Sequence, residues 1–102
     1  MAELFLVEPG PRPPFWEVPQ HLWGDGCDFD SDGDSEPDPA TPEWTYLWAT
    51  LRPGLSAFIN ISPVEEARTL VLRIESDDED LVRRAAAFLA DRTGGRISAN
   101  FP

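Results

Sequence analysis

Polar and apolar side chains alternate with a period of two along much of the second half of the chain. Residues 43–52 and 56–62 are rich in β-branched and aromatic side chains, and the Pro53-Gly54 pair between them is typical of a type II turn. Residues 69–75 alternate in the same way, with leucine and isoleucine at every second position. The pattern predicts a β-hairpin and a third strand, each apolar on one face.

After Ser76 the spacing of apolar residues lengthens to three and four positions, which predicts an amphipathic helix. The apolar stripe of this helix comprises Leu81, Val82, Ala85, Phe88 and Leu89. Ser76 and Glu79 have the spacing of a capping box, and acidic residues crowd the first turn, where the helix dipole favours them. Gly94-Gly95 is expected to end the helix.

The first quarter of the chain is less regular. Residues 3–8 form a short apolar run that predicts a first strand, which the proline-rich residues 9–14 end. Residues 15–23 are aromatic and apolar but contain Pro19, so they fit either a short helical turn or an irregular segment. With a last short strand at 96–101, we predict one α+β domain over residues 1–102: a mainly antiparallel sheet of four to five strands with one main helix on one face.

The charge balance restricts the class of partner. Nineteen acidic against eight basic residues give a net charge of −11, and every basic residue is Arg. Such a field repels nucleic-acid phosphates and anionic lipids and attracts basic proteins, so we expect a basic protein partner, no direct nucleic-acid binding and no membrane association. Arginine without lysine, with an alanine-rich helix, indicates a GC-rich bacterial genome. The N-terminus lacks the features of a secretory signal, which predicts a cytoplasmic protein.

Residues 24–43 carry much of the negative charge. They contain eight acidic residues, three Gly, three Pro and no basic residue, which predicts an irregular acidic loop. Asp28, Asp30, Asp32 and the following Gly33 match the first half of an EF-hand calcium loop, but Pro39 stands where the bidentate Glu should be. Weak calcium binding through Asp28, Asp30, Asp32 and Asp34 is therefore an alternative rather than the main prediction.

Catalytic residue sets are sparse. His21 is the only histidine and Cys27 the only cysteine, and no local signature orients either of them as a nucleophile or a base. No glycine-rich phosphate loop opens a helix. We therefore expect no enzymatic activity and no cofactor.

The aromatic residues next to the acidic segment are the best candidates for binding. On a strand over 43–52, Trp44, Tyr46 and Trp48 would share one face, which is either the core face or an exposed aromatic strip beside the acids. The residues predicted to bind a partner are Trp23, Asp25, Asp28, Asp30, Asp32, Asp34, Glu36, Asp38, Trp44, Tyr46 and Trp48.

The small size, the acidity, the hairpin–strand–helix order and the acidic segment GDGCDFDSDGDSEPD resemble the immunity proteins of bacterial toxin systems. The resemblance implies a protein that neutralises a cognate toxin by plugging or distorting its active site, with residues 25–38 at the basic cleft of a toxin that acts on nucleic acid or nucleotides. Three alternatives remain open: a DNA mimic that occupies a nucleic-acid-binding protein, a weak calcium-binding module, and a subunit of a larger complex.

Overall fold

The computed structural model describes residues 2–34, 38–51 and 57–100. Within them the chain forms six strands and two helices: β1 (Ala2–Val7), α1 (Glu17–Trp23), β2 (Phe29–Gly33), β3 (Leu47–Leu51), β4 (Phe58–Pro63), β5 (Val71–Ser76), α2 (Glu79–Thr93) and β6 (Arg96–Ser98). The strands make one sheet in the order β2-β3-β4-β5-β1-β6, and all neighbours are antiparallel. The predicted α+β class with an antiparallel sheet is confirmed, with one more strand and one more helix than expected.

One face of the sheet, called here the inner face, carries the main core. The alternation predicted for the strands holds, because Ile59, Ile61, Leu72 and Ile74 are fully buried on this side. Helix α2 packs on β1 and β5, and α1 packs on α2 and β3. Burying each large aliphatic side chain contributes roughly 1.5–3 kcal/mol, so this layer accounts for most of the favourable burial.

The opposite face, called here the outer face, is covered at one end only. Phe5, Val7 and Val71 project from β1 and β5 and pack against Val64 and Ala67 in the β4–β5 connection. This small cluster closes the outer face near β1. Both helices of the described residues pack on the other side of the sheet, so neither of them covers the outer face near β2 and β3.

Residues 15–23 were predicted to form either a short helical turn or an irregular segment, and the structure shows the helix α1 there. Pro19 is tolerated because it lies in the first turn, where backbone N–H groups have no partner inside the helix. Val18, Pro19 and Leu22 are buried against the core. Neither α1 nor α2 is long and apolar enough to cross a membrane, and these are the helices of the described residues.

The predicted capping box of Ser76 and Glu79 is wrong. Asp78 is the N-cap residue of α2, and its carboxylate accepts a hydrogen bond from the amide of Asp80 at 2.9 Å. Ser76 still belongs to β5, where it pairs with Ala2 and is fully buried. The Ser76 hydroxyl donates to the Phe58 carbonyl at 2.6 Å and accepts from the amide of Asp78 at 3.1 Å, not from that of Glu79 as a capping box requires. The helix ends as predicted, with Gly94 in the left-handed conformation at φ 76°.

The prediction of an irregular loop over 24–43 is wrong for Phe29–Gly33, which form β2 at the edge of the sheet. The strand can carry acidic residues because its side chains remain exposed, apart from a half-buried Phe29. Charged edge strands are common because they discourage association between sheets. The antiparallel pairing of β3 with β4 confirms the predicted hairpin, while its Pro53-Gly54 turn lies outside the described residues.

Candidate partner-binding surface

Five side chains from five neighbouring strands line up across the outer face. Pairing places Asp32 opposite Trp48, Trp48 opposite Asn60, Asn60 opposite Glu75, and Glu75 opposite Glu3. We call these five residues the outer row. Directly opposed residues in antiparallel strands point to the same face, and neighbouring strands lie about 4.8 Å apart, so the row extends over roughly 19 Å.

The side chain of Trp48 stands out from this face. Tyr46 and Trp48 are each 37% exposed, and Ile97 on β6 is the other exposed large hydrophobic residue in the described part of the chain. Leu47 and Ala49 on either side of Trp48 are buried on the inner face. The alternation of β3 therefore turns Trp48 outward, where it lies between Asp32 and Asn60.

Asp34 holds the position of Tyr46. Its carboxylate accepts hydrogen bonds from the backbone amides of Thr45 and Tyr46 at 2.9 and 3.0 Å and from the Thr45 hydroxyl at 2.8 Å. Burial would raise the pKa of Asp34, but the hydrogen bonds from Tyr46 and Thr45 outweigh it and hold that pKa below its ordinary value. Asp34 is thus an ionised clamp between the end of β2 and the start of β3.

The expected row of Trp44, Tyr46 and Trp48 on one face is not what the structure shows. Strand β3 begins only at Leu47, so strand alternation does not extend back to Trp44. Trp44 is 1% exposed, and its indole nitrogen donates to the Pro13 carbonyl at 2.7 Å. Trp44 is a core residue, whereas Tyr46 and Trp48 are surface residues.

The remaining predicted binding residues are dispersed. Trp23 packs against the main core from α1, and Asp25 lines a cleft with His21 and Phe88, so both lie on the side of the helices. Asp38 is exposed and accepts from the Ala40 amide at 3.0 Å in a turn of its own. Glu36 lies outside the described residues.

Asp28 and Asp30 are exposed and each has a further interaction within the chain. Asp30 is opposite Thr50, which places it on the same face as Asp32 and Trp48. The structure therefore brings Asp30, Asp32 and Trp48 together on the outer face, and Asp34 connects the end of β2 to the exposed Tyr46.

The aspartates of the DxDxDG sequence do not fold as a calcium loop. An extended strand sets Asp30 and Asp32 side by side, whereas an EF-hand loop curves its oxygens around one centre. Asp34 is occupied by the amides of Thr45 and Tyr46. Within residues 2–34, 38–51 and 57–100, no group of three or more His, Cys, Asp or Glu side chains is arranged to hold a metal ion.

His21 and Cys27 are each engaged by other groups. The His21 ring stacks on Phe88 of α2 with 4.4 Å between centroids. The Cys27 thiol donates to the Pro19 carbonyl at 3.6 Å. Burial raises the pKa of Cys27, and the carboxylates of Asp28 and Asp25 raise it further, which keeps the thiol protonated and weakly nucleophilic at neutral pH.

Sequence reasoning missed three members of the outer row, namely Asn60, Glu75 and Glu3. The hairpin pattern contained a signal for Asn60, because alternation sets it on the face opposite Ile59 and Ile61. Glu75 and Glu3 join the row only through the pairing of β5 with β4 and β1, and no local pattern fixes that register.

Comparison with known proteins finds no similarity that identifies the chain: no family model matches it, and neither a curated protein nor a solved structure matches it.

Proposed function

We propose that this protein is a non-catalytic binding protein of the cytoplasm that neutralises a basic partner protein, as bacterial immunity proteins neutralise their toxins. The observation that carries the proposal is the exposure of Trp48 beside Asp32 on the open part of the outer face. Its contact surface is Asp30, Asp32, Tyr46 and Trp48.

Exposed aromatic residues supply affinity in such an interface. Trp and Tyr are the residues most enriched among interface hot spots, where truncation costs about 2 kcal/mol or more. Trp48 already has its position fixed by β2 on one side and β4 on the other, so little backbone order is lost on binding. Tyr46 is fixed by Asp34 in the same way.

The negative charge speeds association with the partner and favours partners with a basic surface. At the β1 end of the outer row, Glu3 lies 3.7 Å from the guanidinium of Arg73, which offsets its charge. At the β2 end, Asp32 stands directly opposite the exposed Trp48. The potential therefore favours a basic partner surface at the β2 end, where attraction raises the association rate at low ionic strength.

A phosphate mimic is the second candidate, and the spacing along β2 favours it. Asp30 and Asp32 are two residues apart on an extended strand, so their Cα atoms lie about 7 Å apart and their side chains project from the same face. A regular line of negative charges is what a nucleic-acid-binding protein recognises in a backbone. This candidate requires that duplex DNA competes for the partner.

The test uses the protein as bait in a lysate of its host. Trp48→Ala and Asp32→Asn change the proposed surface, while Ile97→Ala and Asp91→Asn are matched controls that remove an exposed hydrophobic residue and a charge elsewhere. We expect a basic protein that the wild type and both controls retain, that both surface variants lose, and whose activity the wild type inhibits.

Retention of the same proteins by all five baits, or a captured protein whose activity is unchanged by binding, would contradict the proposal. If duplex DNA displaces the bound protein from its partner, the phosphate mimic is the better description.

A further inference from the structure

We infer that the partner contributes an extended segment, with basic residues alternating with apolar ones, that pairs with the open edge of β2 as an additional strand. The inference rests on the proposed function and specifies its mode of binding. It depends on three features of β2: the direction of its backbone groups, the charge of its outer side, and a cleft on its inner side.

The hydrogen-bond pattern fixes which backbone groups of β2 point outward from the sheet. The amide of Leu51 donates to Ala57 at 2.9 Å, and that of Asp34 donates to Tyr46 at 3.2 Å. In an antiparallel strand the residues alternate between the two neighbours, so even-numbered residues of β3 bond to β2 and odd-numbered ones to β4. Trp48 and Thr50 therefore pair with Asp32 and Asp30.

The intervening residues Phe29, Ser31 and Gly33 consequently direct their N–H and C=O groups to the open side of β2. The amide of Gly33 is taken by the carboxylate of Asp32 at 3.0 Å. No further strand pairs with β2 in the described part of the chain, where β2 is the first strand of the sheet. Phe29 and Ser31 thus present the backbone groups for an added strand.

The charge of this edge discriminates between occupants. A second copy of the chain would set Asp30 and Asp32 against the same residues of its partner, and like charges directly opposed across strands are destabilising. A strand with Lys or Arg at those positions replaces the repulsion with attraction. The edge is therefore protected against self-pairing and suited to a basic segment.

The two sides of the added strand meet different environments. On the outer side its residues would lie next to Asp30 and Asp32, with Trp48 one strand further in. Beside β2 lies a cleft of about 210 Å³, lined on the inner side by Phe15, Ser31 and Leu47 and also by Asp32, Pro39 and Tyr46. Because side chains of a strand alternate, basic residues face outward while small apolar residues enter the cleft.

A peptide tests this mode of binding without any change to the protein. The probe is a seven-residue peptide of alternating Lys and Val, blocked at both ends, and its control carries N-methyl groups on the amides of one edge. A second control has the same composition with its Lys and Val in two blocks. Binding is followed at low salt from the amide signals of Phe29 and Ser31 in NMR titrations.

We expect the alternating peptide to bind, to shift these amide signals and to lose affinity as salt is raised. The N-methylated peptide should bind roughly tenfold more weakly, as expected from the loss of about two hydrogen bonds. The block peptide should bind more weakly too. Equal binding of the three peptides, or no binding of the alternating one, would overturn strand addition.

One substitution in β2 tests strand addition independently of the proposed function. Ser31→Pro removes an outward N–H while it leaves the pairing of Asp30 and Asp32 with β3 intact, because proline is tolerated on the open side of an edge strand. Strand addition predicts that Ser31→Pro, which removes one hydrogen bond, weakens binding of the captured partner roughly threefold. Unchanged affinity, with loss of binding in Trp48→Ala, would refute strand addition and leave the proposed function standing. If both variants bind as the wild type does, both proposals fail.

Discussion

The carboxylate of Asp34 accepts a hydrogen bond from the backbone amide of Tyr46 at 3.0 Å, and the same oxygen accepts from the amide of Thr45 at 2.9 Å. These contacts connect the acidic segment to the strand that carries the exposed aromatic residues. The acidic residues of the surface therefore differ in role: Asp34 maintains the shape of the surface, while Asp30 and Asp32 give it charge.

Removal of the Asp34 side chain should destabilise the fold. Asp34→Ala leaves the amides of Thr45 and Tyr46 without their acceptor, and we expect a loss of about 1–2 kcal/mol in the free energy of unfolding. Urea denaturation measures it. Asp91→Ala on the exposed side of α2 is the control and should change stability by less than about 0.5 kcal/mol. Similar effects of the two substitutions would show that the clamp contributes nothing.

The same contact makes stability depend on pH in the acid range. The pKa of Asp34 is lower in the folded protein than its ordinary value of 3.8. Its contribution is therefore fully present above the ordinary pKa and is lost as pH falls through the folded-state pKa. We expect the stability difference between wild type and Asp34→Asn to shrink as urea denaturation is moved from pH 6 into this range. A difference that stays constant would contradict the assignment.

Gly33 should not tolerate a side chain. A Cβ atom at this position would overlap the carbonyl oxygen of Tyr46, which belongs to the backbone and cannot turn away. We expect Gly33→Ala to cost about 1–3 kcal/mol and to raise hydrogen exchange at the β2–β3 pairing. Gly26→Ala is the matched control, because a Cβ atom added there would meet no other atom within 4 Å. Equal stability of the two variants would show that β2 does not approach Tyr46 in this way.

Ser76 and Asp78 should be more sensitive to substitution than Glu79. Ser76→Ala removes a buried donor to the Phe58 carbonyl and should cost about 1–3 kcal/mol, and Asp78→Ala removes the helix cap and should cost about 1 kcal/mol. Glu79 is exposed and lies 3.6 Å from Arg83 in an exposed pair, so Glu79→Ala should cost under about 0.5 kcal/mol. A large effect at Glu79 would support the capping box instead. Thermal or urea unfolding of the three variants decides between them.

Local patterns predicted the parts of the fold that depend on local physics. The alternation of Ile59 and Ile61, and the apolar stripe that includes Leu81 and Leu89, each determine which side of one element is buried. These positions lie within a few residues of one another, so the pattern contains the information. The same holds for Gly94, whose backbone conformation ends α2.

The predictions that were wrong all concern residues whose structure depends on contacts with residues far away in the sequence. Strand β2 has no apolar alternation of its own and exists because β3 offers it an edge to pair with. Trp44 packs into the main core, where the carbonyl of Pro13, far away in the sequence, accepts its indole N–H. Ser76 turns to Phe58 because pairing with Ala2 keeps it in β5. The same applies to the candidate site. Its acidic residues were evident in the sequence, but the outer row forms only through the register of the paired strands, which the sequence did not reveal.

The affinity of the captured basic partner for wild type and Trp48→Ala, measured by titration calorimetry, tests the central claim most directly. If Trp48 anchors the interface, its truncation weakens binding by roughly thirtyfold or more, as expected from a hot spot of about 2 kcal/mol. Ile97→Ala, which trims an exposed hydrophobic residue on the far edge strand β6, should leave the affinity unchanged. A dissociation constant for Trp48→Ala within about twofold of the wild-type value would contradict the account.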